Sequence, residues 1–82
     1  MNNTMKIIEE IIKQKKNYRL VEIRRTIKEN GYYVIHHKFK LQVKRYKLWI
    51  TFKSINCNEF DIEAYHFNKI NSISLFDTIV NV

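Results

Sequence analysis

Residues 32–53 have the sequence "YYVIHHKFKLQVKRYKLWITFK", in which apolar and polar side chains alternate along most of the length. A period of two is typical of a β-strand with one buried face. In residues 32–44 the alternation places Tyr33, Ile35, His37, Phe39, Leu41 and Val43 on one face and His36, Lys38, Lys40, Gln42 and Lys44 on the other. In residues 46–53 it places Tyr46, Leu48, Ile50 and Phe52 opposite Lys47, Trp49, Thr51 and Lys53. This stretch therefore predicts a hairpin with one apolar and one basic face.

The register of this hairpin is limited because cross-strand partners must share a face. Pairing Val43 with Tyr46 meets that condition and makes residues 44–45 the turn. Lys-Arg is a poor sequence for a two-residue turn, which prefers Asn-Gly. A four-residue loop in the same register is therefore an equal alternative. Either way, Lys40 is predicted to lie opposite Trp49, within reach of a cation–π contact.

The segment before the hairpin, residues 4–30, predicts a helix. Its apolar residues recur three and four positions apart: Met5, Ile8, Ile11, Ile12, Leu20, Ile23 and Ile27. The apolar stripe lapses over residues 13–18, so the helix is either continuous or broken near residue 17. Gly31 is the expected C-cap, because glycine adopts the left-handed conformation that ends many helices.

The segment after the hairpin predicts a third strand over residues 60–67, with Phe52 opposite Phe60 and Ile50 opposite Ile62. Residues 71–82 predict a short helix, with a fourth strand as the alternative. The expected fold class is α+β in a single small basic domain over residues 1–82. Its elements would be an N-terminal helix, a three-stranded antiparallel meander and a short C-terminal helix.

Composition narrows the class of protein. The chain has 82 residues, a formal net charge of +7, one cysteine, one glycine and no proline. A single cysteine forms no internal disulfide, the N-terminus lacks a signal-peptide pattern, and no apolar run approaches about 18 residues. We therefore expect a cytoplasmic protein without a membrane segment. The abundance of Ile, Lys and Asn suits an AT-rich genome, such as that of a phage or another mobile element.

The positive charge is concentrated in the hairpin. Residues 32–54 carry a net charge of +6, residues 1–31 carry +4 and residues 55–82 carry −3. Clustered cations repel one another, and a polyanion relieves that repulsion while releasing its own counterions. A tryptophan among lysines is also suited to stacking on an unpaired base. The hairpin face is therefore expected to bind nucleic acid or a nucleoprotein. The predicted binding residues are Lys38, Lys40, Lys44, Arg45, Lys47, Trp49, Lys53, Arg24 and Arg25.

Other interpretations of the same face stay open. The cations would also suit docking on an acidic protein surface, as in a phage- or mobile-element-encoded inhibitor of a host complex, of the anti-CRISPR-like kind. Asp61 and Glu63 on the predicted third strand, with Glu59 nearby, would neutralise part of the face, leaving an ordinary solvated surface. Ile7 and Ile11, in addition to Ile8 and Ile12, give the first segment more apolar surface than a small sheet needs. Either a second helix covers them or another copy of the chain does, as in a homodimer.

Catalytic and metal-binding patterns are weak. His36 and His37 are adjacent on a strand and should point to opposite faces, so His37 is expected to be a buried, hydrogen-bonded histidine on the apolar side. Cys57 lies in a polar stretch predicted to be a turn, without a positioned histidine. No phosphate loop or metal-ligand spacing is present. We therefore expect a non-enzymatic protein with no cofactor and no metal.

Overall fold

The computed structural model describes residues 4–57 and 62–81. Within them, four antiparallel strands precede one helix: β1 (Thr4–Lys15), β2 (Tyr18–Glu29), β3 (Tyr32–Arg45), β4 (Leu48–Cys57) and α1 (Ile62–Val80). Each strand pairs with the next, so the sheet order is β1-β2-β3-β4. Helix α1 packs on the sheet face that carries Leu20, Phe39 and Leu41, here called the helix face. The other side, which carries Val21, Lys38 and Lys40, is called the open face.

The predicted N-terminal helix is wrong, because residues 4–29 form the hairpin of β1 and β2. The lapse in the apolar stripe marks the turn at Lys16 and Asn17, where Lys16 has a φ of 58°. The isoleucines of this segment are β-branched and favour strands. The supposed cap at residues 30–31 is also a hairpin turn. Asn30 has a φ of 50° and Gly31 a φ of 83°, the signature of the Asn-Gly turn that joins two strands.

The predicted faces of β3 are confirmed, but the register of its hairpin with β4 is wrong. Tyr46 and Lys47 form the turn, with φ values of 52° and 69°, so Val43 faces Ile50 and Lys44 faces Trp49. The residues of β3 and β4 nearest the turn keep their predicted faces because the register is displaced by an even number of residues. Farther from the turn, β4 has an irregularity opposite Leu41 and Gln42. Between this irregularity and Cys57 the register is shifted, so that Leu41 faces Lys53 and His37 faces Cys57.

The predicted third strand over residues 60–67 is also wrong, since α1 begins at Ile62 and no Ile50–Ile62 pair forms. Phe60, the expected partner of Phe52, lies outside the described residues. The C-terminal helix is confirmed for residues 71–80, and the fourth-strand alternative for that tail is not. The helix is longer than expected, with 19 residues. The described fold is α+β, with four strands where three were predicted.

The core lies between α1 and the helix face. Residues Ser72, Phe76 and Val80 are four positions apart, so they share one side of the helix and are all buried. Phe76 and Val80 pack against Leu20 and other buried side chains of β2 and β3. No helix among the described residues combines the length and apolar composition that crossing a bilayer requires.

Candidate nucleic-acid interface

A row of polar and cationic side chains follows β3 on the open face. Its members are His36, Lys38, Lys40, Gln42 and Lys44. Residues two apart on a strand are separated by about 6–7 Å. Strand β2 adds Arg25 beside His36 and Arg19 beside Gln42. The cations predicted on β3 therefore do share one side of the sheet, and β2 widens the row.

A shallow groove of about 370 Å³ lies in this face. Ile7 and Ile23 supply its apolar part, and Arg25, His36, Lys38 and Lys40 supply much of its polar lining. Among the described residues, no carboxylate forms an ion pair with Arg25, Lys38 or Lys40. Glu63, expected on a neighbouring strand, lies instead in the first turn of α1, and Asp61 lies outside the described residues. The groove thus presents a positive charge that the described chain does not pair.

Trp49 lies on the open face, but its surroundings differ from the prediction. Lys40 faces Ser54 rather than Trp49. The guanidinium carbon of Arg19 lies 4.3 Å from the centre of the indole ring, and Lys44 Nζ lies 5.9 Å from it. Both distances are within the range of a cation–π interaction. Arg19 therefore covers one face of the ring, and a stacking base would have only the other face.

Arg19 is held in place by a chain of hydrogen bonds. Its Nε donates to Gln42 Oε1 at 2.6 Å, and Gln42 Nε2 donates to Thr51 Oγ1 at 3.0 Å. Its Nη2 also lies 3.7 Å from a carboxylate oxygen of Glu9. The sequence indicated a basic stretch at residues 13–19, which includes Arg19, but it did not place Arg19 beside Trp49 because this segment was predicted to be a helix. Alternation in Arg19, Val21 and Ile23 is the signal that could have placed it beside Trp49.

The other predicted binding residues are dispersed. Arg24 lies on the helix face, where its Nη2 is 3.0 Å from Glu10 Oε2, so Arg24 and Arg25 point to opposite sides of the sheet. Arg45 is the last residue of β3, Lys47 is in the exposed turn, and Lys53 lies beside the irregularity of β4. Of the nine predicted residues, the open face brings together Lys38, Lys40, Lys44, Trp49 and Arg25.

The helix face contains a second polar cluster, centred on Glu22, which is 0 % exposed. His37 Nδ1 lies 2.9 Å from Glu22 Oε2, and the Tyr65 hydroxyl donates to the same carboxylate. Burial, reinforced by Glu22, raises the pKa of Tyr65 to about 12. The predicted hydrogen bond of His37 on the apolar side is confirmed, but its side chain is 21 % exposed rather than buried. Because no buried side-chain nitrogen or oxygen of the described residues lacks a hydrogen-bond partner, we interpret the cluster as structural.

The single cysteine lies at the end of β4, not in a turn. Cys57 is 3 % exposed and faces His37 across the strands. A buried thiol is poorly placed to attack a substrate. In the described ranges, no three His, Cys, Asp or Glu side chains are grouped as metal ligands would be.

Comparison with models of known protein families, with curated proteins and with solved structures finds no match to the chain.

Proposed function

We propose that this protein is a non-enzymatic binding protein that engages nucleic acid, alone or within a nucleoprotein, through its open face. The observation that carries the proposal is the row of Lys38, Lys40 and Lys44 along β3, with Arg25 beside it. Their spacing of about 6–7 Å along the strand is close to the separation of successive phosphates in a nucleic-acid strand. Neutralising those phosphates releases condensed counterions, which drives binding.

Phosphate contacts are expected to dominate over base contacts. The guanidinium carbon of Arg19 lies 4.3 Å from the centre of the Trp49 ring and covers one of its faces. A base therefore cannot stack on that face. Lysine ammonium groups position a phosphate backbone without reading its sequence. The proposed binding is therefore salt-dependent and weakly selective for sequence.

The test is fluorescence anisotropy with labelled single- and double-stranded DNA and RNA at two salt concentrations. The double variant Lys38→Glu/Lys40→Glu removes the centre of the row. Its matched control, Lys28→Glu/Lys69→Glu, makes the same change in net charge on β2 and α1, on the helix side of the sheet. The open-face variant should weaken binding by roughly tenfold or more and flatten the salt dependence. Equal losses in the two variants, or no binding by the native protein at low salt, would refute the proposal.

A second candidate is an inhibitor that docks on a host protein. The observation that favours it is a group of exposed apolar side chains at the end of the β3–β4 hairpin. Tyr46 is 96 % exposed and Leu48 is 68 % exposed, with Ile50 and Phe52 also exposed beside them. Several exposed apolar side chains on one hairpin are typical of protein–protein contact sites. Under this candidate, Leu48→Ser should abolish partner binding while Lys38→Glu/Lys40→Glu leaves it intact.

A further inference from the structure

Strand β1 forms one edge of the sheet, so it presents a row of backbone N–H and C=O groups that the sheet does not pair. Edge strands are normally shortened, bulged or charged to prevent pairing with another chain. Irregularities between Thr4 and Lys6 and between Ile11 and Lys13 interrupt β1, but residues 6–11 between them are regular. In that regular segment Ile7 is 62 % exposed and Ile11 is 49 % exposed. The segment holds three isoleucines and three charged residues, Lys6, Glu9 and Glu10. It is long enough to accept another strand, provided that the partner strand matches these charges as well as the apolar side chains.

We propose that a second copy of this chain occupies the edge, with its β1 antiparallel to the first about a two-fold axis at Ile8. This inference goes beyond the proposed function and does not depend on it. A symmetric pair of this kind is self-complementary, as two-fold interfaces must be. Cross-strand partners must also share a face, so the axis passes through one residue and the choice of that residue fixes every pair.

Charge selects Ile8 among the available axes. With Ile8 opposite the partner's Ile8, Lys6 faces the partner's Glu10, and symmetry repeats this pair. An axis at Glu9 or at Glu10 would place two carboxylates directly opposite each other, which is destabilising. An axis at Ile11 would run into the irregularity that follows it, and an axis at Ile7 would leave only residues 6–8 paired within the regular segment. About Ile8, residues 6–10 all pair within the regular segment, and only the next pair, residue 11 with residue 5, reaches an irregularity.

The pairing is also compatible with the ion pair that Glu10 already makes within one copy. Glu10 binds Arg24 through Oε2, and a carboxylate has further acceptor positions for the partner's Lys6. The two four-stranded sheets would form one continuous sheet of eight strands. Because the axis is perpendicular to the sheet, the open faces of both copies would lie on the same side.

A disulfide at the axis tests the register. In a Cys57→Ala background, which removes the single native cysteine, Ile8→Cys places two thiols opposite each other. Directly opposed residues of antiparallel strands have Cα atoms about 4.5–5.5 Å apart, within the range a disulfide spans. Ile11→Cys is the control, because in this register residue 11 faces residue 5. Ile8→Cys should form a covalent dimer under mild oxidation and Ile11→Cys should not. Equal cross-linking, or none, would overturn the register.

Charge exchange tests the same pairing without a covalent bond. In sedimentation equilibrium, Lys6→Glu and Glu10→Lys should each raise the dimer dissociation constant by roughly tenfold, because both symmetric pairs become like-charged. An equimolar mixture of the two variants should recover the native constant, since every pair between unlike copies is then complementary. Circular dichroism establishes that each variant is folded. A native protein that sediments as a monomer throughout, or a mixture no tighter than its components, contradicts the proposal.

Discussion

The hydroxyl of Tyr65 on α1 donates a hydrogen bond to the carboxylate of Glu22 in the centre of the sheet, at 2.9 Å from Oε2. Glu22 is fully buried on the helix face. A buried carboxylate that loses its partners is strongly destabilising. His37 Nδ1 lies 2.9 Å from the same oxygen, Glu22 Oε2. The hydrogen bond from Tyr65 therefore fixes the position of α1 on the sheet together with the apolar packing.

Replacing Tyr65 by phenylalanine should lower the free energy of unfolding by about 1–3 kcal/mol, because Glu22 loses a donor to a charged acceptor. Urea denaturation measures the change. Tyr46→Phe is the matched control, as the Tyr46 side chain is 96 % exposed and its hydroxyl remains solvated. Similar losses in both variants would mean that the contact with Glu22 adds no stability.

The titration of Tyr65 gives a pH-dependent prediction. Its pKa rises from the model-peptide value of 10.0 to about 12 in the folded protein, through burial and the adjacent Glu22. The folded state thus holds this proton more tightly than the unfolded state does. The resulting stabilisation is complete below pH 10 and is lost as the pH rises toward 12. Tyrosinate absorbance should show a component near pH 12 that is missing from Tyr65→Phe, and a native titration without that component would contradict the prediction.

The β3–β4 turn carries strain that glycine would relieve. Lys47 has a φ of 69°, a conformation that side chains with a Cβ rarely adopt. Lys47→Gly should therefore stabilise the protein by roughly 1 kcal/mol in urea denaturation.

In the β2–β3 turn, replacing the glycine should instead destabilise the protein. Gly31→Ala should destabilise by a similar amount through the backbone alone, since its Cβ would meet nothing within 4 Å. A Gly31→Ala variant as stable as the native protein would mean that the turn is not held at this φ.

The contact of Arg19 with Trp49 can be followed by fluorescence, because the chain contains one tryptophan. Arg19→Ser should increase quenching of Trp49 by acrylamide, since the guanidinium at 4.3 Å no longer covers the ring. Arg25→Ser makes the same charge change elsewhere on the open face and should leave quenching unaltered. An unchanged quenching constant in Arg19→Ser would show that the ring is already accessible.

The alternation in residues 32–53 was sufficient to predict which side chains of β3 share a face. It predicted the basic row of Lys38, Lys40 and Lys44 for the same reason. The register could not be obtained from it, because displacing one strand by any even number of residues preserves every face, and the observed register differs from the predicted one by four residues. Lys44 therefore replaces Lys40 opposite Trp49. The choice between those registers depends on backbone conformation at Tyr46 and Lys47, which their side-chain types do not favour.

The N-terminal hairpin was missed because its isoleucines occur in adjacent pairs. Ile7 and Ile8 point to opposite faces of β1, and the irregularity after Ile11 places Ile12 toward the core. On an edge strand both faces carry isoleucine, so the alternation of a strand with one buried face is absent and the spacing resembles that of a helix. The Asn-Gly pair at residues 30–31 was the stronger signal. The position of Arg19 beside Trp49 was not predicted for the same reason.

Strictly sequential strand pairing has a consequence for synthesis on the ribosome. Each hairpin forms between neighbouring segments, so it can close soon after its second strand leaves the exit tunnel. The apolar side of that growing sheet, including Leu20, Phe39 and Leu41, is covered only after α1 has been translated. Between formation of the sheet and translation of α1, the nascent chain therefore exposes an apolar surface. Chaperones that bind nascent chains during translation are expected to recognise that surface.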